Sequence, residues 1–375
     1  MKLFDVYPLL NVNLVKGKDC YVYDDNNTQY LDFYGGHAVI SIGHAHPHYI
    51  QRLESQLHQL SFYSNSVHIT IQQQVANLLG KLSGYEDYQL FLVNSGAEAI
   101  ENALKVASFY NNRKKVIAFK GSFHGRTAGA VAITDNPSIK PPINTDEHVI
   151  FLNFNDEDAL KKAFDENEIC AVVIEPIQGV NGIYEPNANF MQQIQQLCQQ
   201  HNALFIADEI QSGYGRSGKF FAHQHANVQP DVITMAKGMG NGFPVAGILI
   251  HPKIAAKYGM LGTTFGGSPL ACAAMLAVLE VIEKENLINN AIELGNYLIE
   301  QCKQLPNVKE VRGKGLMIGV EFNFPIKELR EKLVYEHRIF VGNSNQANTL
   351  RLLPSLTIKK EQIDSFLKAI KAILS

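Results

Sequence analysis

The sequence predicts an α/β protein: a largely parallel sheet covered by helices on both faces, followed by a smaller α+β domain. Three observations carry this expectation. Short apolar runs recur at 90–93, 116–119, 130–134, 149–152, 171–174, 203–207, 232–236 and 245–250. They are continuous rather than alternating, as in strands buried on both faces. Helical patterns separate many of them, which points to strand–crossover–strand units. From about Pro269 the character changes to long apolar helices and a few short strands.

Taken in order, the segments 20–23 and 29–33 alternate like a hairpin around Asp25-Asn26-Asn27. After Ser95-Gly96, the residues Ile100, Ala103, Leu104 and Ala107 follow the i, i+3, i+4, i+7 spacing of a helix. A second helical pattern covers 190–201. An Ala/Leu-rich helix is expected from Ala271 to about Glu283, and another from near Ile288. Strands are expected at 316–321 and 349–353. The domain expectation is 1–49 as an N-terminal segment packing with the small domain, 50–285 as the large domain and 286–375 as the small one.

The 375 residues are 46% hydrophobic, enough for a large core, and the net charge is -3. That balance offers no basic field for nucleic acid and no polybasic membrane patch. No apolar run approaches the roughly 18–20 residues that cross a bilayer. Met1–Pro8 lacks a signal-peptide pattern. The five cysteines are far apart and form no C-x-x-C pair, so they read as reduced core residues of a cytoplasmic protein.

Lys237 closes the apolar run 232–236, and the turn Gly238-Met239-Gly240-Asn241-Gly242 follows. A buried ammonium without a partner is costly. A lysine bonded to an aldehyde escapes that cost and becomes an anchor and a proton carrier. A lone lysine more often snorkels at a strand end, so the other motifs must decide. Asn94-Ser95-Gly96-Ala97-Glu98 reads as strand end, turn and helix start. That is a phosphate cradle of free N–H groups, or an ordinary helix capped by Ser95 and Glu98. In Gly121–Thr127, Phe123 suits the face of a planar ring and Arg126 suits a carboxylate; a solvated loop reads the same way. Asp208, before Glu209-Ile210-Gln211, ends an apolar run and needs a cationic partner, such as a protonated pyridine nitrogen; a turn cap is the plainer reading. Thr263 and Thr264 sit among glycines, as phosphate or carboxylate contacts do and as flexible turns do.

Other chemistries fit less well. Gly213–Lys219 matches G-x-x-x-x-G-K, but Phe220 stands where a Ser or Thr would hold Mg²⁺. No G-x-G-x-x-G follows an early strand. His44, His46 and His48 straddle Pro47 and show no obvious carboxylate partner, so no metal site is expected.

Together these segments resemble the class III (ornithine-type) aminotransferases of pyridoxal-phosphate (PLP) fold type I, and within them the acetylornithine type. The likeness runs from Gly35-Gly36 and Gly43-His44-Ala45-His46-Pro47 to Leu350-Arg351. It includes 94–99, 123–126, Glu175-Pro176-Ile177-Gln178-Gly179, 208–211, Ala236-Lys237-Gly238, and Thr264 with Gly266-Gly267-Ser268-Pro269. The resemblance implies a mainly parallel seven-stranded sheet, PLP as cofactor, and a homodimer with shared active sites.

It also implies roles. Lys237 would bond the cofactor aldehyde and Asp208 would pair with its ring nitrogen. Phe123 would stack on the ring and Gln211 would reach its phenolic oxygen. Ser95, Gly96 and Ala97 would hold the phosphate, with Glu209 and Ile210 beside the cofactor and Thr264 reaching the neighbouring subunit's phosphate. Arg126, with Thr263 nearby, would bind a substrate carboxylate. Arg351 would hold the α-carboxylate of 2-oxoglutarate or glutamate, switching against Glu175. The implied reaction moves the δ-amino group of N-acetylornithine to 2-oxoglutarate, a step of arginine biosynthesis. N-succinylornithine, ornithine and 4-aminobutyrate remain alternative donors, and a non-catalytic scaffold is the alternative of another class. His37 stands where relatives often carry an aliphatic residue.

Overall fold

The computed structural model describes residues 1–375. The chain opens with an antiparallel meander of β1 (Leu14–Lys18), β2 (Tyr21–Asp24) and β3 (Gln29–Asp32). Asp24 builds its turn: one carboxylate oxygen accepts the N–H groups of Asn26 (3.0 Å) and Thr28 (2.7 Å), and Asn27 takes the left-handed conformation.

The large sheet contains β4 (Gln89–Val93), β5 (Lys115–Phe119), β6 (Val149–Leu152), β7 (Ile169–Ile174), β8 (Leu204–Asp208), β9 (Val232–Met235) and β10 (Ala246–Ile250). Their spatial order is β4-β10-β9-β8-β7-β5-β6. Only β10 runs against its neighbours; the remaining pairs are parallel. The continuous apolar runs are explained by burial on both faces. Val116, Ala118, Val173 and Ile206 join one core layer with Ile100, Ala103 and Ala107 of the helix Gly96–Asn111. The alternate residues Ile117, Phe119, Val172 and Phe205 join another with Phe190, Met191 and Ile194 of the helix Ala188–His201.

Seven of the eight expected runs lie on these strands. The eighth, 130–134, does not: it falls on the short helix Ala128–Ala132 and its end. Apolarity alone does not separate a short strand from a short buried helix. Here Glu101 decides, because one of its oxygens accepts the N–H groups of Gly129 (2.7 Å) and Ala130 (3.2 Å) and so caps a helical turn.

The helix Pro269–Lys284 is buried on nearly every side, which accounts for its Ala/Leu composition. After it come the helix Leu287–Cys302 and the sheet of β11 (Val308–Lys314), β12 (Met317–Phe322) and β14 (Thr349–Leu352). The two-residue β13 (Ile339–Phe340) instead pairs in parallel with β3. Phe33 also stacks on Phe366, with ring centroids 4.6 Å apart, so the N-terminal segment and the C-terminal part pack together. The P-loop-like stretch 213–219 lies between them and the large sheet. There the buried Arg216 donates to the carbonyls of Leu316 (3.3 Å) and Pro354. No helix is long and apolar enough to cross a membrane.

The three histidines do have carboxylate partners, contrary to expectation: His44–Asp32 (2.9 Å), His46–Glu285 (2.9 Å) and His48–Glu280 (2.5 Å). Two of those acids are more than 230 residues away, so spacing did not reveal them. Each histidine takes a different acid, which leaves three separate pairs.

On β12, Glu321 accepts from Lys309 (2.6 Å) and Arg312 (2.5 Å), and these two hold its carboxyl down, from 4.5 to about 2. A depressed acid contributes stability above its unfolded pKa and loses it as pH falls toward the folded one. Lys309 is largely exposed, so solvent screens its share of this effect and Arg312 carries the more sheltered part. Glu321→Gln should lower the melting temperature at pH 6–7, with the gap to wild type closing between about pH 4.5 and 2. A gap that stayed constant over that range would show that the charge is not what stabilises.

Candidate active site

β4, β5, β7, β8 and β9 all point the same way, and the residues just past their carboxyl ends line one cleft of about 330 Å³. Open α/β sheets bind ligands at this edge. β4 supplies Ser95, Gly96 and Ala97; β5 leads to Phe123 and His124; β7 leads to Glu175; β8 supplies Asp208, Ile210 and Gln211; β9 leads to Lys237. The segment Gly242–Val245, entering β10, forms another wall.

The phosphate-cradle motif folds as its sequence dictates. The Ser95 hydroxyl accepts from the Glu98 N–H (3.2 Å), and Glu98 accepts from the Ser95 N–H (3.1 Å), closing a capping box. The Gly96 and Ala97 N–H groups have no partner in the chain and sit at the positive end of a 16-residue helix. Gly125 is required beside them. Its φ is 141°, and a Cβ there would lie 2.9 Å from that of Ala97.

Asp208 ends β8 almost fully buried. Its Oδ1 accepts from the Ile210 N–H (3.1 Å) and the Thr234 hydroxyl (3.2 Å). Its Oδ2 meets Nδ1 of His124 at 2.6 Å. His124 is part of the site that motif reading passed over; only its place in Phe123-His124-Gly125 hinted at it. The next residue, Glu209, corrects an expectation. Strand residues alternate in direction, and Glu209 turns away from the cleft to meet His223 (2.8 Å) and the Ser212 hydroxyl (2.6 Å).

Lys237 has φ 44°, in the left-handed region that costs a non-glycine residue roughly 1 kcal/mol. The turn is held from outside. The Ser41 hydroxyl donates to the Gly238 carbonyl (2.7 Å), and the Asn241 side chain bridges the backbone of Ser41, Ile42 and Gly43. The Lys237 amine has no hydrogen-bond or ion-pair partner in the chain. Its side chain is half-buried by area, because it opens on the cleft. Burial, with Arg351 adding to it, pushes the amine below its usual pKa against the pull of Asp208 and Glu175. Burial pushes Glu175 the other way, to about 7, with Asp208 adding to the shift.

Arg351 is buried on β14. It donates to the Asn343 carbonyl (2.5 Å) and, weakly, to Gln211 Oε1 (3.5 Å). The Glu175–Arg351 pair of the resemblance is not formed. Glu175 instead accepts the N–H groups of Phe123 (2.9 Å) and Gly179 (3.2 Å). Gln211 donates to the His37 carbonyl (3.1 Å). His37 lies in a left-handed stretch, Gly35–Ala38, with its ring against Tyr34. Burial, then Arg351 and Lys237, lower its pKa to about 4, so it is neutral at neutral pH. Arg126, Thr263 and Thr264 lie outside the cleft lining. Arg126 is exposed and unpaired, Thr263 accepts from the Gly266 N–H (3.1 Å), and Thr264 is exposed on its loop.

An unpaired, desolvated amine, free N–H groups at a helix start and a buried carboxylate with one acceptor position unused match the aldehyde, phosphate and ring nitrogen of PLP. The family model for class-III aminotransferases matches residues 5–374. The chain belongs to this family.

As a class-III aminotransferase it depends on PLP and is an enzyme. It is 39% identical to the acetylornithine aminotransferase of Archaeoglobus fulgidus, over 100% of this chain and 97% of that one. It is also 39% identical to the LysW-aminoadipate semialdehyde/glutamate semialdehyde transaminase of Sulfolobus acidocaldarius, over 97% and 95%. Among solved structures, it aligns with the ornithine aminotransferase of Toxoplasma gondii, in which PLP partly occupies the active site. The TM-score there is 0.90, with 29% identity over 98% of this chain and 92% of that one. The fold described above is shared with that structure over nearly the whole of this chain.

Proposed function

We propose that this class-III aminotransferase moves the δ-amino group of N-acetylornithine to 2-oxoglutarate, giving N-acetylglutamate semialdehyde and glutamate, in arginine biosynthesis. The observation that carries the chemistry is the unpaired Lys237 amine, set in one cleft with the free N–H groups of Gly96 and Ala97 and with Asp208. The full-length likeness to the acetylornithine enzyme supports the donor.

PLP supplies an aldehyde that carries the amino group and a ring that accepts electron density from the substrate carbon. The chain's residues do the rest. Lys237 would anchor the cofactor and would accept and return a proton at Nζ; its lowered pKa leaves more of the free base available for that task. Asp208 stabilises positive charge on the ring nitrogen. Gly96, Ala97 and the Ser95 hydroxyl would hold the phosphate, and Phe123, Ile210 and Gln211 line the same cleft, where they would contact the ring. Arg351 binds the α-carboxylate of 2-oxoglutarate by a two-pronged contact. Glu175 is held by the Phe123 and Gly179 N–H groups and would have to leave them to pair with Arg351. Arg126, free of partners, takes the donor's carboxylate beside Thr263, and the neutral His37 borders its path.

Thr264 completes the phosphate site of a second copy. The surface around its loop supports this: Phe265 and Phe62 are exposed, in ring contact at 5.4 Å, beside exposed Tyr63 and Val67. Residues 50–285 serve as the cofactor-binding body, with 1–49 packing against 286–375, the small domain. Five buried free cysteines suit a reducing cytoplasm.

The test is a set of half-reactions with N-acetylornithine, N-succinylornithine, ornithine and 4-aminobutyrate, each followed by the change in the cofactor's visible absorption. N-acetylornithine should react at least about tenfold faster than the others, a gap of ~1.4 kcal/mol. A faster rate with another donor removes the substrate assignment. Sedimentation at the monomer mass of 41.7 kDa removes the shared site.

A further inference from the structure

Glu101 lies in the second turn of the helix Gly96–Asn111, away from the segment it holds. One of its oxygens, Oε1, accepts three donors from that segment: the Thr127 hydroxyl (2.7 Å), the Gly129 N–H (2.7 Å) and the Ala130 N–H (3.2 Å). Thr127 occupies the cap position of the helix Ala128–Ala132, where a hydroxyl ordinarily accepts from its own helix. Here it donates to Glu101 instead, so the cap comes from outside. Gly129 fits the same arrangement. Glycine weakens a helix, but a Cβ at this position would lie 2.6 Å from Glu101 Oε2.

The segment is anchored in two parts. Phe123 and His124 are tied to the large sheet, through Glu175 (2.9 Å) and Asp208 (2.6 Å). Residues 126–129 have no hydrogen bond beyond the segment 121–135 except those to Glu101. Gly125 lines the cleft, and Arg126 follows it, exposed and without a partner. The backbone that aims this guanidinium is therefore fixed by one carboxylate. That carboxylate is engaged with the backbone, and Arg126 stays free.

We propose that Glu101 is a positioning residue for the amino donor: by capping residues 127–130 it aims Arg126 at the donor's carboxylate. Glu101 itself touches neither substrate nor cofactor. An arginine on a loose segment gives up more freedom when it grips a carboxylate, whereas a fixed backbone leaves less to lose and a stronger contact. A donor without that carboxylate gains nothing from the cap. The inference rests on Arg126 as the contact for the donor's carboxylate.

The experiment compares two amines in the half-reaction of the PLP-loaded enzyme: N-acetylornithine, and N-acetylputrescine, which is the same molecule without the carboxylate. Glu101→Ala should raise the half-saturating concentration of N-acetylornithine about tenfold and keep the maximal rate within about threefold of wild type, as expected when uniform binding is lost. The same variant should leave the reaction of N-acetylputrescine within about twofold of wild type. Glu101→Gln keeps an acceptor and should recover most of the loss. Gly129→Ala forces the carboxylate aside and should repeat the defect with Glu101 intact. If wild type prefers another acyl group, the same pair carrying that group serves, so the substrate assignment and this proposal fail separately. Arg126→Gln tests the contact itself. If it leaves the preference for the carboxylate-bearing amine unchanged, the reading of Arg126 fails and the proposal falls with it. If it lowers that preference while Glu101→Ala and Gly129→Ala change both amines equally, or neither, the proposal alone is overturned. Should Glu101→Ala not fold, Gly129→Ala and Glu101→Asp, one methylene too short, decide on the same readout.

Discussion

Lys237→Ala should reduce turnover at least ~10⁴-fold. Two contributions disappear together: the covalent anchor of the cofactor, and the only unpaired base facing the cleft. No neighbour replaces it. Arg351 holds its proton too tightly, His37 is engaged with Tyr34, and Glu175 is occupied by two backbone N–H groups. The helix-start cradle and Asp208 remain, so the variant should still bind PLP while forming no borohydride-reducible bond to it. The paired measurement is single-turnover rate and covalent labelling. Near-wild-type turnover would falsify the assignment of Lys237.

Asp208 should rank second. Asp208→Asn keeps the shape and the bonds to Ile210 and Thr234 but removes the charge, and turnover should fall about 10²–10³-fold, equivalent to ~3–4 kcal/mol in the barrier. Asp208→Ala should add a folding defect of roughly 3 kcal/mol, because a buried imidazole, a hydroxyl and an N–H all lose their acceptor. Comparing turnover and melting temperature separates the two. If Asn matches wild type in rate, the ring nitrogen does not depend on this carboxylate.

Much of this was legible in the chain, for identifiable reasons. Strands buried on both faces leave uninterrupted apolar runs, and a turn that must hold phosphate leaves Ser, Gly and a capping Glu in fixed order. Those signals are local, so Ser95–Glu98 and Lys237 could be read from a few residues. The segment 130–134 shows where locality fails, since the cap that makes it helical comes from Glu101 on another helix. The contacts of His124, the outward turn of Glu209 and the acids facing His44, His46 and His48 depend on which strands are neighbours. Arg351 and Glu175 show a different limit: both were singled out, but Arg351 meets Asn343 and Gln211 while Glu175 meets the backbone of Phe123 and Gly179.

The position of β10 has a consequence for synthesis. It is the last strand of the large sheet in sequence, yet it lies between β4 and β9. Within the sheet, the strand leading to the Ser95–Ala97 cradle and the strand leading to Lys237 are therefore joined through a strand that the ribosome makes after both. At ~5–20 residues per second, the interval between completing β4 and completing β10 lasts on the order of ten to thirty seconds. During that time the flank of β4 is an open edge, exposed to mispairing with other chains, whereas β9 is completed shortly before β10. A cofactor that binds the completed cleft adds its binding energy to the stability of chains whose central sheet has closed.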